Sequence, residues 1–257
     1  MWPRRRHTWD RARDSLREIK VRNESDLRNA LNNTTDKRSV VVVNDISVKS
    51  TINLSSSGFT LSSQGGSVII PDGAVTGGGP SSSASLVTPM TLFSVTTDLY
   101  DAVFDGLRIG TGTGAYAEKP FDKFMVVDGG SLTQVGVRGC TMWLVSGTEA
   151  AFVECLAAED VVRCRFIDNY VRVDHIGGSD QYFLTGGNPG NCTISNNYIA
   201  VGLLYIDGAT GGNIIIGNQL GAGAIDTKTS PRNITIGNRA NSVANSGTGG
   251  VNDHNTT

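Results

Sequence analysis

Residues able to carry acid–base chemistry are few and scattered in this 257-residue chain. The densest group is Asp174-His175-Ile-Gly-Gly-Ser-Asp180, one loop with one imidazole and two carboxylates, and Arg172 stands two residues ahead of it. Asp128, Asp160, Asp168 and Arg163 are further candidates. Carboxylates hydrolyse a glycosidic bond when two of them face one sugar across roughly 5–9.5 Å. Asp174, Asp180 and Arg172 are therefore the set that an enzyme would draw on. Isolated Asp residues on polar turns are also what any turn-rich chain exposes to solvent. The sequence is read as holding no catalytic residue, no metal and no cofactor. Trp143, Tyr170, Tyr182 and Tyr205 could stack on sugars, but core or loop packing is the expectation for them. Cys140, Cys155, Cys164 and Cys192 lie in apolar runs without a CxxC pair, which predicts buried free thiols in a reducing compartment.

The elements that must position these residues are short strands. Gly is 32 of 257 residues, charged residues are 18% and the net charge is −2. That mixture disfavours a helical bundle, and the abundance of Val, Ile and Leu disfavours disorder. From Val40 onward, runs such as Val40–Val43, Ile46–Val48 and Phe59–Leu61 are broken every few residues by Gly, Asn, Ser or Asp. A weak unit recurs, with an apolar residue, a small or Asn residue three later and an apolar residue two beyond that. It places Leu107, Cys140, Cys164, Asn197, Asn218 and Asn238 in one register, at separations of 33, 24, 33, 21 and 20 residues. A period in the twenties, stretched by loops, predicts a solenoid of eight or nine turns. Stacked coils pair every strand above and below, and an inward Asn at a bend bonds the next Asn in the ladder.

The charge is segregated. Residues 1–38 hold 11 of the 22 Lys and Arg against 6 acids, and the remainder holds 11 against 18. Thr8 can cap a helix from Trp9 to Lys20, with Trp9, Ala12, Leu16 and Ile19 as a narrow apolar stripe. Arg4, Arg5, Arg6, Trp9, Arg11, Arg13, Leu16 and Ile19 are the expected partner-binding residues. Residues 1–22 are thus read as a basic helical anchoring arm, 23–240 as the solenoid and 241–257 as a polar tail. Ser25 is the expected N-cap of a short helix covering the first coil. No apolar run approaches a membrane span, and no signal-like segment follows the first basic residues.

The runs Val21–Leu31 and Val40–Val48, with the later Cys/Asn coils, resemble the cap helix and coils of the pectate-lyase-like superfamily over roughly residues 21–240. That resemblance implies an all-β, single-stranded right-handed parallel β-helix. In the superfamily's lyases it also implies an acidic Ca²⁺ site on one sheet with an Arg as base, for which Asp128, Asp160, Asp168, Asp174 and Asp180 with Arg163 or Arg172 are the matching residue types. The hydrolase pattern of Asn-Thr-Asp, Asp-Asp, Gly-His-Gly and Arg-Ile-Lys is absent from the sequence. The basic arm most resembles the bacteriophage tail-spike and virion-appendage group. The functional expectation is therefore a non-enzymatic structural protein of a bacteriophage virion, made in the host cytoplasm. It would be a homotrimer anchored to capsid or tail proteins and able to contribute to attachment to a host surface glycan, with no membrane or nucleic-acid partner. The alternative is a polysaccharide lyase or glycoside hydrolase of the same fold.

Overall fold

The structure is a computed structural model that describes residues 17–33, 37–72, 90–113, 116–146, 150–156, 159–175, 181–185, 187–200, 203–205, 210–221, 223–228, 230–244 and 247–256. It is a parallel β-helix, the fold class that the sequence predicts. Each coil runs through a strand of sheet A, then sheet B, then sheet C and, in the longer coils, sheet D. Coil 3 shows the full circuit, with Val103–Asp105 in A, Arg108–Ile109 in B, Lys123–Val127 in C and Leu132–Thr133 in D. Sheet A has ten strands, from Arg17–Val21 to Val251–Asp253, and sheets B, C and D have seven, eight and four. Every pairing in these four sheets is parallel, while Thr111–Thr113 and Tyr116–Lys119 form an antiparallel hairpin at the B–C corner of coil 3. Coil 1 opens its sheet A strand at Arg38, coils 2 to 8 open theirs at Phe59, Val103, Gly136, Arg165, Thr193, Ile214 and Ile234, and a ninth begins at Val251.

Two corner ladders define the coil. At the A–B corner, Leu107, Cys140, Asn169, Asn197, Asn218, Asn238 and Asn255 stack one above another. At the D–A corner, Ala102, Val135, Cys164, Cys192, Asn213 and Asn233 do the same. In nearly every case the residue just before the ladder position is left-handed. At the A–B corner these are Gly106, Gly139, Asp168, Asn196, Gly217, Gly237 and His254, and at the D–A corner Asp101, Gln134, Arg163, Asn191, Gly212 and Arg232. The left-handed residue makes the bend, and the next side chain turns inward. Cys164 is thus corrected: it belongs to the D–A ladder beside Cys192, not to the ladder of Cys140. The A–B position of its coil is Asn169, so the register separations there are 29 and 28 residues.

Each ladder Asn satisfies two coils. Asn197 Oδ1 accepts from the backbone N and the Nδ2 of Asn169 at 3.0 and 2.9 Å, and Asn197 Nδ2 donates to Phe166 O at 2.9 Å. Asn occupies the ladder only from coil 5 onward, where the coils shorten from 28 residues to 17. The same trend thins the core. Phe59, Phe93, Phe104, Phe124, Phe152 and Phe166 pack ring against ring in the wide coils, at centroid distances of 5.1–5.8 Å. Ile194, Ile215 and finally Thr235 take the same inward place in the narrow ones.

Both ends of the chain depart from expectation. Arg17–Val21 is a strand paired with Arg38–Val42, so a helix running to Lys20 is excluded over those residues. Ile19 pairs with Val40 and packs against the protein's own core, whereas Arg4, Arg5, Arg6, Trp9, Arg11, Arg13 and Leu16 lie outside the described residues. β-Branched Ile19 and Val21 alternating with charged residues is a strand pattern, and the helical stripe overlapped it. The helix Glu24–Leu31 follows that strand and is capped by Asn23, not Ser25, with Asn23 Oδ1 accepting from Asp26 N at 2.9 Å. Its Leu27, Ala30 and Leu31 are buried over the first coil. Buried Arg38 closes the other end of this helix, donating to Ala30 O and Leu31 O at 2.6 and 2.5 Å. At the far end, residues 241–257 are not merely a tail: Ser242–Ala244 and Val251–Asp253 extend sheets C and A.

Arg163 and Asp168, singled out as possible catalytic groups, are exposed corner residues at φ 56°. A left-handed non-Gly residue costs about 1–2 kcal/mol, and the entropy that Gly loses on folding offsets part of any gain. Arg163→Gly is accordingly expected to raise stability by about 0.5–1 kcal/mol, read as a higher midpoint in thermal unfolding.

Candidate functional site

The outer face of sheet B carries a row of polar and aromatic side chains. Arg108, Thr141, Tyr170, Tyr198, Gln219 and Arg239 are successive partners on adjacent coils and form a column parallel to the helix axis. At about 4.8 Å per coil the column is about 24 Å long. Alternation along each strand turns Ile109, Met142, Val171, Ile199 and Leu220 into the core and leaves the column outside. Tyr170 and Tyr198 stack in parallel at 5.2 Å, with 36% and 37% of their surface exposed.

A second column begins where the B strands lengthen. Thr141–Ser146 and Tyr170–His175 are each six residues long, and they set Trp143 beside Arg172. The Arg172 guanidinium lies over the Trp143 ring at 5.2 Å, and both side chains are half-buried. A guanidinium is a planar fork of donors whose geometry matches a carboxylate. The hairpin of coil 3 springs up next to this pair. Gly110, at φ +69°, permits it: a Cβ there would sit 2.7 Å from Trp143 O. The chain rejoins the core at Phe121, whose N donates to Trp143 O at 3.2 Å. Among the described side chains of the B strands from coil 3 to coil 8 there are three guanidinium groups and no carboxylate.

The sequence candidates fall as follows. Arg172 is on this face. Asp174 and His175 end the same strand, paired in register with Val145 and Ser146, and Asp180 lies outside the described residues. Asp128 follows a sheet C strand, Asp160 opens a sheet D strand and Asp168 is the A–B corner of coil 5, so these three are not brought together. No group of carboxylates able to hold a metal ion occurs among the described residues. The acidic Ca²⁺ site that the resemblance implies therefore has no fit there. Of the aromatic candidates, Trp143 and Tyr170 are on the face. Tyr182 and Tyr205 are in sheet C strands.

Two features of this region were missed in the sequence. Tyr198 gave its signal only through the ladder, as the outward neighbour of Asn197 one coil beyond Tyr170. Lys123 is the other: at the B–C corner its Nζ lies 2.9 Å from Glu154 Oε2 and 3.8 Å from Asp122 Oδ2, with all three side chains only 12–15% exposed. This cluster ties the start of the coil 3 strand in sheet C to the neighbouring coil. Pairing of Lys123 with a carboxylate on the next coil is not visible until the register is known.

The four cysteines are buried and free, as expected. Burial pushes the Cys140 and Cys155 thiols up to about 12. Cys164, hydrogen-bonded to Cys192 and buried, is raised well above the ordinary range, while the same hydrogen bond lowers Cys192, whose protection rests on its burial. Thiols held protonated are poor nucleophiles. Native protein at pH 8.5 is expected to resist alkylation, with all four thiols labelled after denaturation, as counted by mass spectrometry.

No protein-family model and no curated protein matches the chain. Among solved structures, an alginate lyase from a Paenibacillus species matches with a TM-score of 0.44 and 12% identity, over 94% of this chain and 99% of that one. That finding corrects the expectation of a non-enzymatic bacteriophage virion protein. The matched structure is that of an enzyme. At that identity the likeness is one of fold, and the chemistry is argued from the chain's own residues.

Proposed function

We propose that the chain is a polysaccharide lyase that binds an anionic, uronate-containing polysaccharide on the outer face of sheet B. The observation that carries this reading is the Trp143–Arg172 stack beside the Tyr170–Tyr198 stack, on a face whose described ionic groups are all guanidinium. Aromatic faces hold sugar rings through their apolar sides, and guanidinium forks match carboxylates. In β-elimination a base removes the proton on the carbon α to the uronate carboxyl group. The electron pair forms a carbon–carbon double bond and the glycosidic C–O bond breaks. The leaving oxygen takes a proton, and the chain ends as an unsaturated uronate. In this reading Arg172 holds the carboxylate and the negative charge that develops on it. Asp174 and His175, at the end of the same strand, are the groups offered as proton carriers. A hydrolase would need a facing carboxyl pair, and the carboxylates of Asp122 and Glu154 are both ion-paired with Lys123.

The test is incubation with alginate, polygalacturonate and hyaluronan, and with neutral dextran as a control. Ultraviolet absorbance of the unsaturated product is followed, with reducing ends measured in parallel. Rising absorbance on a uronate polymer alone is expected. Reducing ends without absorbance would mean hydrolysis, and neither signal with any polymer would overturn the proposal.

A further inference from the structure

The outer face of sheet A changes character along its length. Its two outward columns read Glu18, Ser39, Thr60, Val103, Gly136, Arg165, Thr193, Ile214, Ile234, Val251 and Lys20, Val41, Ser62, Asp105, Arg138, Ile167, Ser195, Ile216, Ile236, Asp253. The first half is polar and includes the Arg138–Asp105 ion pair at 2.9 Å. The second half is apolar: Ile214, Ile216 and Val251 are 37%, 38% and 48% exposed, and Ile234 and Ile236 are half-buried between them. Five aliphatic side chains side by side on a flat parallel sheet form a patch of the kind that marks a protein contact, since the faces of parallel sheets are ordinarily covered.

We infer that this patch is the interface of a homodimer in which two chains lie antiparallel, sheet A against sheet A, about a two-fold axis crossing coil 7. The charges that bracket the patch select this occupant and this orientation. Arg165 stands two coils before Ile214, and Asp253 stands two coils after it. A two-fold axis along the strand direction at Ile214 and Ile216 sets coil 5 of one copy against coil 9 of the other. Each Arg165 then meets the second copy's Asp253 on the diagonal, at both ends of the patch. Such an interface is self-complementary, as a closed dimer requires. Packing with the helix axes parallel, about a two-fold or a three-fold axis, instead sets each coil against the same coil. Arg165 then faces its own kind, and Asp253 does too. The antiparallel arrangement covers only the apolar half of sheet A. It leaves the polar halves projecting in opposite directions and sheet B open on both chains.

Light scattering and sedimentation on the full chain test this. Wild type is expected at twice the 27.1 kDa chain mass. Ile214→Lys with Ile234→Lys is expected at the single-chain mass, with unchanged circular dichroism because neither side chain is in the core. Asp253→Arg and Arg165→Asp are each expected to weaken the dimer about tenfold, and the two together to restore it. A monomer or a trimer for the wild type would overturn the inference. A dimer that survives the double Lys substitution would overturn the interface. Failure of the charge swap to restore affinity would overturn the antiparallel orientation.

Discussion

Arg172→Ala is expected to lower uronate cleavage by about 10²–10³-fold in kcat/KM while leaving the protein folded. Loss of a positioned cation that meets charge developing in the transition state has that scale, because nothing else reorganises in time to replace it. The structural cost is smaller: a partly exposed guanidinium–indole contact contributes about 1 kcal/mol, and Val171 beside it, which is fully buried, continues to anchor the strand. Arg172→Lys separates charge from geometry. An ammonium keeps the charge but neither stacks flat on Trp143 nor forks onto a carboxylate, so activity is expected between wild type and Arg172→Ala. Trp143→Ala tests the other half of the pair. If the indole binds sugar alike in ground and transition states, its loss raises KM with kcat little changed. A fall in kcat for Trp143→Ala with KM fixed would mean that the indole does not hold substrate in the ground state.

How much of this was legible follows from what repeats and what does not. The solenoid, the Asn ladder and the cap helix over coil 1 were readable because each follows from local pattern: apolar alternation, small residues at bends, and Leu27, Ala30 and Leu31 at helical spacing. The misplacement of Cys164 has a physical cause. Both corners make the same demand, a left-handed residue followed by a small or amide side chain turned inward, so Arg163-Cys164 and Gly139-Cys140 look alike in sequence while lying at different corners. A unit that occurs twice per coil cannot be phased from one register. The functional face was less legible still. Tyr170 and Tyr198 are 28 residues apart, the same separation as Asn169 and Asn197. Their stacking therefore follows once the Asn pair is known to be in contact, and not before. The Asp174–Asp180 cluster drew attention because catalytic types stood close in sequence. Closeness in a β-helix is set by coil register instead, and it was Arg172, opposite Trp143 on the neighbouring coil, that gained a partner.

The largest expected loss of stability belongs to the centre of the Asn ladder. Asn218 Oδ1 accepts from the backbone N and Nδ2 of Asn197 at 3.0 and 2.9 Å, and its Nδ2 donates to Ile194 O at 2.9 Å and Asn238 Oδ1 at 3.0 Å. All of these groups are buried, so Asn218→Ala strands donors and acceptors on the two flanking coils at about 1–3 kcal/mol for each group left unsatisfied, and about 3–5 kcal/mol in total is expected. Asn255, which makes the same bonds to Asn238 at 2.9 Å from a half-exposed position, should cost only about 1 kcal/mol on replacement by Ala, because water can take its place. Asn218→Asp distinguishes hydrogen bonding from packing, since the side chain keeps its shape. It can still accept from Asn197, but as a carboxylate it has nothing to donate to Ile194 O or Asn238 Oδ1 and faces both oxygens as a buried charge. It should therefore be at least as destabilising as Ala at neutral pH. The sign of its pH dependence follows: burial among acceptors raises the folded-state value of this carboxyl above the unfolded value of about 3.9. The protonated form, which can donate, is then fully effective below about pH 4, and its stability is lost as pH rises toward the folded value. Thermal unfolding of the Asp variant should accordingly improve relative to wild type on acidification, while the Ala variant keeps a constant deficit. Parallel pH profiles for the two variants would mean that the ladder contributes through packing alone.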